Sequence, residues 1–411
     1  MVIHENPIDR IYQYLLIAAF FFLPLTVVGN NIAIWLITLI WLFSGNYKAK
    51  LQKVISHKLA IASIIFFLVH VVALVWTENI YWGLEIIRKM LPFLLVLPVF
   101  LTISRIENSK YYIAAFLLAI FISESLSYMI WLGFIEPFGH ASGGTLSTDS
   151  YGTVSGMSNP TPLMSHVSYN PFLAFGFYLV VNKILSAKEM KQSERVLYTF
   201  FAFTMAFNMF ITGGRAGQVM FFVAIIVICF QYFKGSQVKA IITSVLVSVV
   251  ILVSAYSYSD MFHNRVNSAF IDVANYEESR LTSVGYRLTF LINSYELFKD
   301  SPLIGVGTGD FPAEYEKVNL ATSPEVPATV QPHNMYMLVL SQLGIIGLIS
   351  FLWIFFLQFQ IALASKNTLI NHVGVAMPIF FLVIMWSDSY LLGHFTSNLF
   401  ILFSSFIYSN R

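Results

Sequence analysis

The sequence predicts an all-α polytopic membrane protein, with about 12 transmembrane helices and one large, partly helical loop on the outer side. Three observations carry that expectation. The first is composition: 57% of the 411 residues are hydrophobic and 11% are charged, too little charge to cover a water-soluble globule of this size. The second is that apolar runs of spanning length recur along the chain, and the third is that Lys and Arg collect on alternate connections. The lone Cys229 sits inside an apolar run, so neither a disulfide framework nor a cysteine metal site is expected.

In order, the runs lie at about 11–29, 31–45, 59–76, 90–104, 111–135, 170–186, 196–212, 218–233, 240–257, 334–362, 373–392 and 395–410. Spans one to nine thus fill 1–257, an outward loop domain fills 258–333, and spans ten to twelve fill 334–411. Residues Met1 to Arg10 are polar and the run from Ile11 is long enough to remain as a span, so no cleaved leader is expected. With both ends inside, the inner connections hold 15 of the 23 basic residues, including Lys188 and Arg411. The other eight, among them Arg88, Lys89, Arg215 and Arg287, face outward, mostly in the long loop that the charge rule weights least.

Two outward loops are long. The first, about 136–169, is rich in Gly, Ser, Thr and Pro, includes His140, and reads as a flexible cover whose far end brings His166 and Tyr169 within reach of a polar cavity. The second, 258–333, has the length of a functional loop rather than a connector. Within it, Leu288, Leu291, Ile292, Tyr295 and Phe298 predict a helix with one buried stripe, and Ser301-Pro302 ends it. The glycine-rich turn Gly305-Val306-Gly307-Thr308-Gly309 follows. It lacks the lysine of a phosphate-binding loop and follows no strand, so it reads as a device for tight packing.

The stretch Gln331-Pro332-His333-Asn334 stops at a proline and leads into an apolar helix, with His333 expected in its first turn. On that reading His333, Leu340, Gly344 and Gly347 share one helix face, where two glycines admit a neighbouring backbone. The helix dipole disfavours an imidazolium there, which suits His333 to act as a base; a cap histidine at the membrane interface is the plainer alternative. Arg215 stands in the tight turn Thr212-Gly213-Gly214-Arg215-Ala216-Gly217, held at the membrane surface, where its planar fork suits either a lipid-linked phosphate or ordinary headgroups. Arg287 opens the loop helix with Leu291 as its anchor, aimed into a cavity or paired with Glu296 or the Glu277-Glu278 pair. Secondary candidates are Arg88, at the outward start of the fourth span, His166, and Asp388, a carboxylate at the edge of hydrocarbon that needs a partner such as one of these arginines. Glu124 in the fifth span is a similar carboxylate with no assigned role, and His394 reads as an interfacial histidine. No acidic or histidine cluster has metal-ligand spacing and no nucleotide-sugar or serine-nucleophile motif occurs, so chemistry without metal or cofactor is expected.

Together these residues resemble a known family. His333-Asn334, nine residues, then Gly344-x-x-Gly347, and Arg287-x-x-x-Leu291 are similar to two signatures of the O-antigen ligase superfamily. The run Lys299 to Gly307 and the outward Arg215 fall where that family has them. The resemblance implies a bacterial inner-membrane glycosyltransferase that moves a preassembled O-antigen polysaccharide from undecaprenyl diphosphate to a sugar hydroxyl of lipid A-core in the periplasm. It implies metal-independent, inverting chemistry, with His333 taking the hydroxyl proton and Arg215 and Arg287 holding the diphosphate. Membrane lipids and these two substrates are the expected partners, and nucleic acid is not. An O-antigen polymerase, which extends undecaprenyl-linked glycan, is the nearest alternative; the absence of Arg and Lys from the first long loop favours the ligase. A lipid-linked glycan transporter would need charges deep within its spans.

Overall fold

The structure is a computed structural model that describes residues 6–136, 159–187, 189–278 and 280–409. Most of the first long loop, with His140, therefore lies outside the described residues, as do Lys188 and Arg411. Among the described residues every regular element is a helix.

The first two apolar runs form Pro7–Phe22 (α1) and Val27–Phe43 (α2), and a short lysine-bearing helix, Tyr47–Ser56 (α3), joins them to Lys58–Ala73 (α4). Next come Ile80–Leu94 (α5) and Val96–Ile103 (α6), which divide where the Pro98 ring meets the carbonyl of the preceding turn, and then Ser109–Trp131 (α7). His166–Ser186 (α8), Gln192–Ile211 (α9), Arg215–Tyr232 (α10) and Gln237–Tyr258 (α11) follow. The long stretch after α11 contains Asp260–Ala274 (α12), Ser283–Asp300 (α13) and Phe311–Thr322 (α14), and the chain closes with Met335–Ala364 (α15), Thr368–Ile384 (α16) and His394–Ile407 (α17).

Every apolar run of the sequence lies on a helix, but α5 starts ten residues before its run, because Glu85, Arg88 and Lys89 interrupt the apolar pattern. By length and composition six helical segments can cross a membrane: Lys58–Trp76, Ile80–Ile103, Ile106–Trp131, Arg215–Tyr232, Gln237–Tyr258 and Met335–Ala364. Three further apolar helices, α2, α16 and α17, are shorter. The exposed surface of α11, which includes Val245, Leu246, Val249, Val250 and Val253, would aggregate in water and is the kind of surface that lipid wets. This is a helical membrane protein.

Two compact units divide the chain. The first comprises Met1–Ala19, Asn31–Tyr111 and Ile271–Arg411, and the second Phe20–Asn30 and Tyr112–Phe270. The stretch between α11 and α15 is divided between them, its residues to Phe270 in the second unit and those from Ile271 in the first.

In the first unit a chain of ring contacts forms the core: Phe66 of α4 meets Phe93 of α5 and Phe351 of α15, and Phe400 of α17 meets Phe355 and Phe381 of α15 and α16. In the second unit Phe116 of α7 packs on Phe172 and Phe175 of α8, and Phe221 of α10 packs on Phe177 and Phe210.

The expected helix over 287–300 forms as α13, but its buried face differs from the expected stripe. Gly285, Thr289, Phe290, Asn293, Ser294 and Leu297 are buried, while Ile292 and Tyr295 are exposed. Small and polar residues let α13 approach its neighbours and hydrogen-bond to them, and that outweighs apolar periodicity here. Asn293 Nδ2 donates to Tyr315 Oη, Asn319 Oδ1 and Ser323 Oγ at 3.3, 3.1 and 2.8 Å, which hangs α14 and the loop after it on α13.

Candidate active site

The first unit builds a candidate site around a break in α15. Gly344 has φ 64° and ψ −162°, a conformation open in practice only to glycine, and it divides the helix into two. Such a break orphans carbonyls on one side and N–H groups on the other, each costing roughly 2–7 kcal/mol if left unpaired in an apolar setting. The glycine-rich turn after α13 satisfies them. Val306 and Gly307 donate to the carbonyls of Ser341 and Gln342 at 2.9 and 3.0 Å, and Ile345 and Ile346 donate to Pro302 and Leu303 at 2.9 and 3.3 Å.

This contact is backbone on backbone. A Cβ at Gly305 would stand 2.3 Å from the carbonyl carbon of Gln342, and one at Gly344 would stand 2.3 Å from that of Leu303. Tight packing, the role read for this turn from its sequence, is what the glycines do. The far end of the turn is fixed by the buried Asp310, whose two carboxylate oxygens accept from the N–H groups of Glu78 and Asn79, both at 2.8 Å. An apolar cavity of about 450 Å³, lined in part by Val69, Val72, Trp76, Ile304, Leu343 and Ile346, lies against the docked turn.

His333 is not in the first turn of α15, as its sequence position suggests; it precedes the helix with φ 49°, in the left-handed region that a non-glycine residue rarely occupies. Asn334 is the cap, its Oδ1 accepting from Met337 N–H at 3.0 Å, so the helix begins at Met335. The cap displaces His333 from the helix, and the break at Gly344 separates it further from Gly347, so the expected shared face of His333, Leu340, Gly344 and Gly347 does not exist. Instead the imidazole is aimed by the segment after α16. Met335 N–H donates to Met385 O at 2.9 Å, Asn334 Nδ2 to Trp386 O at 3.2 Å and Tyr336 Oη to Leu382 O at 2.5 Å.

That stitching brings Asp388 to His333, with Oδ1 3.3 Å from Nδ1. The same oxygen accepts from Ser389 N–H at 2.7 Å. Asp388 was expected to pair with an arginine; its partner among the described residues is the histidine. A neutral imidazole that donates Nδ1–H to an ionised carboxylate presents the lone pair of Nε2. Phe290 of α13 lies against the other side of the ring, with centroids 5.9 Å apart and planes 23° from parallel.

Arg287 is one turn before Phe290 on α13 and half-buried, and neither Glu296 nor the Glu277-Glu278 pair holds it: Glu296 pairs with Lys299, and no ion pair to Arg287 forms among the described residues. Its charge and that of Asp388 both bear on the buried Tyr390 hydroxyl.

The second unit builds a turn around Arg215, the first residue of α10. Asn170 of α8, fully buried, is its keystone. Asn170 Nδ2 donates to the carbonyls of Met209 and Gly214 at 3.3 and 3.2 Å, and Oδ1 accepts from Thr212 Oγ1 at 2.6 Å. Gln218 Nε2 donates to Met209 O and Thr212 O, and Asn159 Oδ1 accepts from Gly213 N–H at 2.9 Å. The approach of α8 requires glycine: Cβ atoms at Gly214 and Gly217 would stand 2.4 Å from His166 O and 2.3 Å from Asn170 C. His166 opens α8 with Nδ1 3.4 Å from Asn159 Nδ2, so it belongs to the support of this turn. Tyr169 is fully buried in α8.

A family model described as O-antigen ligase matches residues 200–352, a segment that holds Arg215, Arg287, the docked turn, His333 and the Gly344 break. Over that segment the chain is similar to the O-antigen ligase family. No curated protein matches it. The match supports a membrane enzyme of the O-antigen ligase and polymerase type. Asp388, Asn170, His166 and Arg88 lie outside the segment that the O-antigen ligase model matches. Of these, Arg88 pairs with Glu85 one turn earlier on α5, with its side chain 62% exposed, and His394 is the histidine that feels its charge. The sequence signals missed were Asn334 as a cap and Asn170 as a partner for the glycines at 213, 214 and 217; the first is local and legible, and the second needs the fold.

Proposed function

We propose that this enzyme is an O-antigen ligase, transferring preassembled O-antigen polysaccharide from undecaprenyl diphosphate to a sugar hydroxyl of lipid A-core, on the periplasmic side of a twelve-span bacterial inner-membrane protein. The acceptor oxygen attacks the anomeric carbon as the bond from that carbon to the phosphate oxygen breaks, with inversion. His333 Nε2 takes the hydroxyl proton, and the diphosphate departs with the bonding electrons. Arg287 and Arg215 hold its oxygens and stabilise the charge that grows on them. The apolar cavity beside the docked turn suits part of the polyprenyl chain.

The observation that carries this reading is the imidazole held by Asp388 through Nδ1, in a strained backbone conformation and stacked on Phe290, because that arrangement frees Nε2 as an acceptor. A structural histidine needs neither the strain nor the carboxylate. In cells, His333→Ala is expected to abolish glycan on lipid A-core while undecaprenyl-linked glycan of unchanged length accumulates. Carrier-linked glycan that becomes short in the same gel would assign the enzyme to polymerisation instead.

A further inference from the structure

Arg265 has no role in the reading above, yet its guanidinium is placed with some care. Only Ser259 separates α11 from α12, and that residue fixes the reversal: its Oγ donates to Phe210 O at 2.6 Å and accepts from Phe262 N–H at 3.2 Å. Phe262 is buried edge-on against Phe210, with centroids 5.2 Å apart and planes at 85°. On the outer side Tyr256 stacks on His263 at 4.3 Å and its hydroxyl donates to Asn267 Oδ1 at 2.9 Å. The start of α12 is thereby clamped to the end of α9.

Arg265 follows Phe262 by three residues on one face of α12, and Gly213 follows Phe210 by three in the chain opposite. The aromatic anchor therefore delivers the guanidinium over Gly213: a Cβ at that position would stand 3.4 Å from Nη2 and 3.8 Å from Nε. Arg215 is two residues on. Gly213 N–H is already taken by Asn159.

Among the described residues no carboxylate lies within ion-pair distance of Arg265, and the acids of its own helix, Asp260 and Asp272, are five and seven residues away, off the spacing at which helical neighbours meet. Arg88, Arg105 and Arg280, by contrast, each have an acidic partner. A half-buried guanidinium cannot shed its charge, and one seated against a glycine backbone without an acid is suited to a planar, bidentate anion.

We propose that Arg265 is a further donor-binding residue, its guanidinium joining that of Arg215 to take a phosphate-class anion, the diphosphate of the polyprenyl carrier. This rests on the reading of Arg215 as a diphosphate ligand. The phosphate of an ordinary bilayer lipid has the same chemistry, so the test carries both. The full-length protein in detergent, wild type and the variants Arg265→Gln, Arg265→Lys and Arg215→Gln, is titrated with undecaprenyl diphosphate and separately with phosphatidylglycerol, and bound lipid is counted by native mass spectrometry.

Arg265→Gln is expected to bind undecaprenyl diphosphate about tenfold more weakly, the effect of one charge-assisted contact, with phosphatidylglycerol retention unchanged. Arg265→Lys, which keeps the charge without the fork and does not disturb folding through charge loss, falls between. If Arg215→Gln weakens donor binding and both Arg265 variants stay within twofold of wild type, the inference fails while the reading of Arg215 stands. If Arg215→Gln itself has no effect, the reading fails and the inference with it. Equal loss of both lipids in Arg265→Gln assigns the guanidinium to bilayer headgroups and overturns the proposal.

Discussion

The segment around His333 and the turn around Arg215 are both short connections leading into a helix, and they are secured by opposite means. His333 is held through charge and strain: a carboxylate on Nδ1, a ring on its face and a left-handed backbone. The Arg215 turn is held by neutral amides and glycines, with Asn159, Asn170 and Gln218 binding its main chain. The difference follows from the two tasks. A base needs its tautomer and direction fixed, which a carboxylate does, whereas a carboxylate built into a phosphate site would compete with the ligand for the guanidinium.

This contrast can be broken at the glycines first, where the largest effect is expected. Gly344→Ala carries about 1–3 kcal/mol of backbone strain and in addition overlaps Leu303, so little folded protein should be recovered by size-exclusion chromatography of detergent extracts. Gly213→Ala meets nothing closer than 3.4 Å and should accumulate like the wild type. Equal yields for the two would show that the docked turn does not hold α15 together.

Next in size is the loss of a guanidinium fork. Arg287→Lys and Arg215→Lys should each lower kcat/KM for the lipid-linked donor about a hundredfold, measured with purified enzyme at constant salt. Asp388→Asn tests the carboxylate: with the amide unable to fix Nδ1–H, kcat should fall about a hundredfold or somewhat less while donor KM stays within twofold. A change confined to donor KM would make Asp388 part of binding and erase the contrast. Smallest of all is Arg88→Gln, which removes an exposed pair with Glu85 and should change kcat/KM by less than about twofold, because surface ion pairs contribute about 0–1 kcal/mol.

Much of the fold was legible because apolar runs in a membrane protein are long and their helices follow from the need to satisfy the backbone in lipid. Every run became a helix, and the starts that shifted, as at α5, did so where Glu85 and Arg88 hid the pattern. Buried faces were less legible: in α13 the inward side is Thr289, Asn293 and Ser294, and hydropathy alone selects the opposite one. The motif residues His333, Arg215 and Arg287 could be picked out because each stands in a polar or glycine-rich interruption. Their partners could not, since Asp388 lies 55 residues beyond His333 and Asn170 lies 44 before Gly214. Gly344 was read as a site of close backbone approach, which it is; that it also breaks the helix depends on the turn at 302–307 being there to pair with it.

The central claim is that His333 Nε2 takes the acceptor proton, and single-turnover transfer by purified His333→Ala and wild-type enzyme, with donor binding measured on the same preparations, tests it most directly. The expected result is a rate lower by about a thousandfold with donor affinity within twofold of wild type. A rate within tenfold of wild type, or a loss that tracks weakened donor binding, would contradict it.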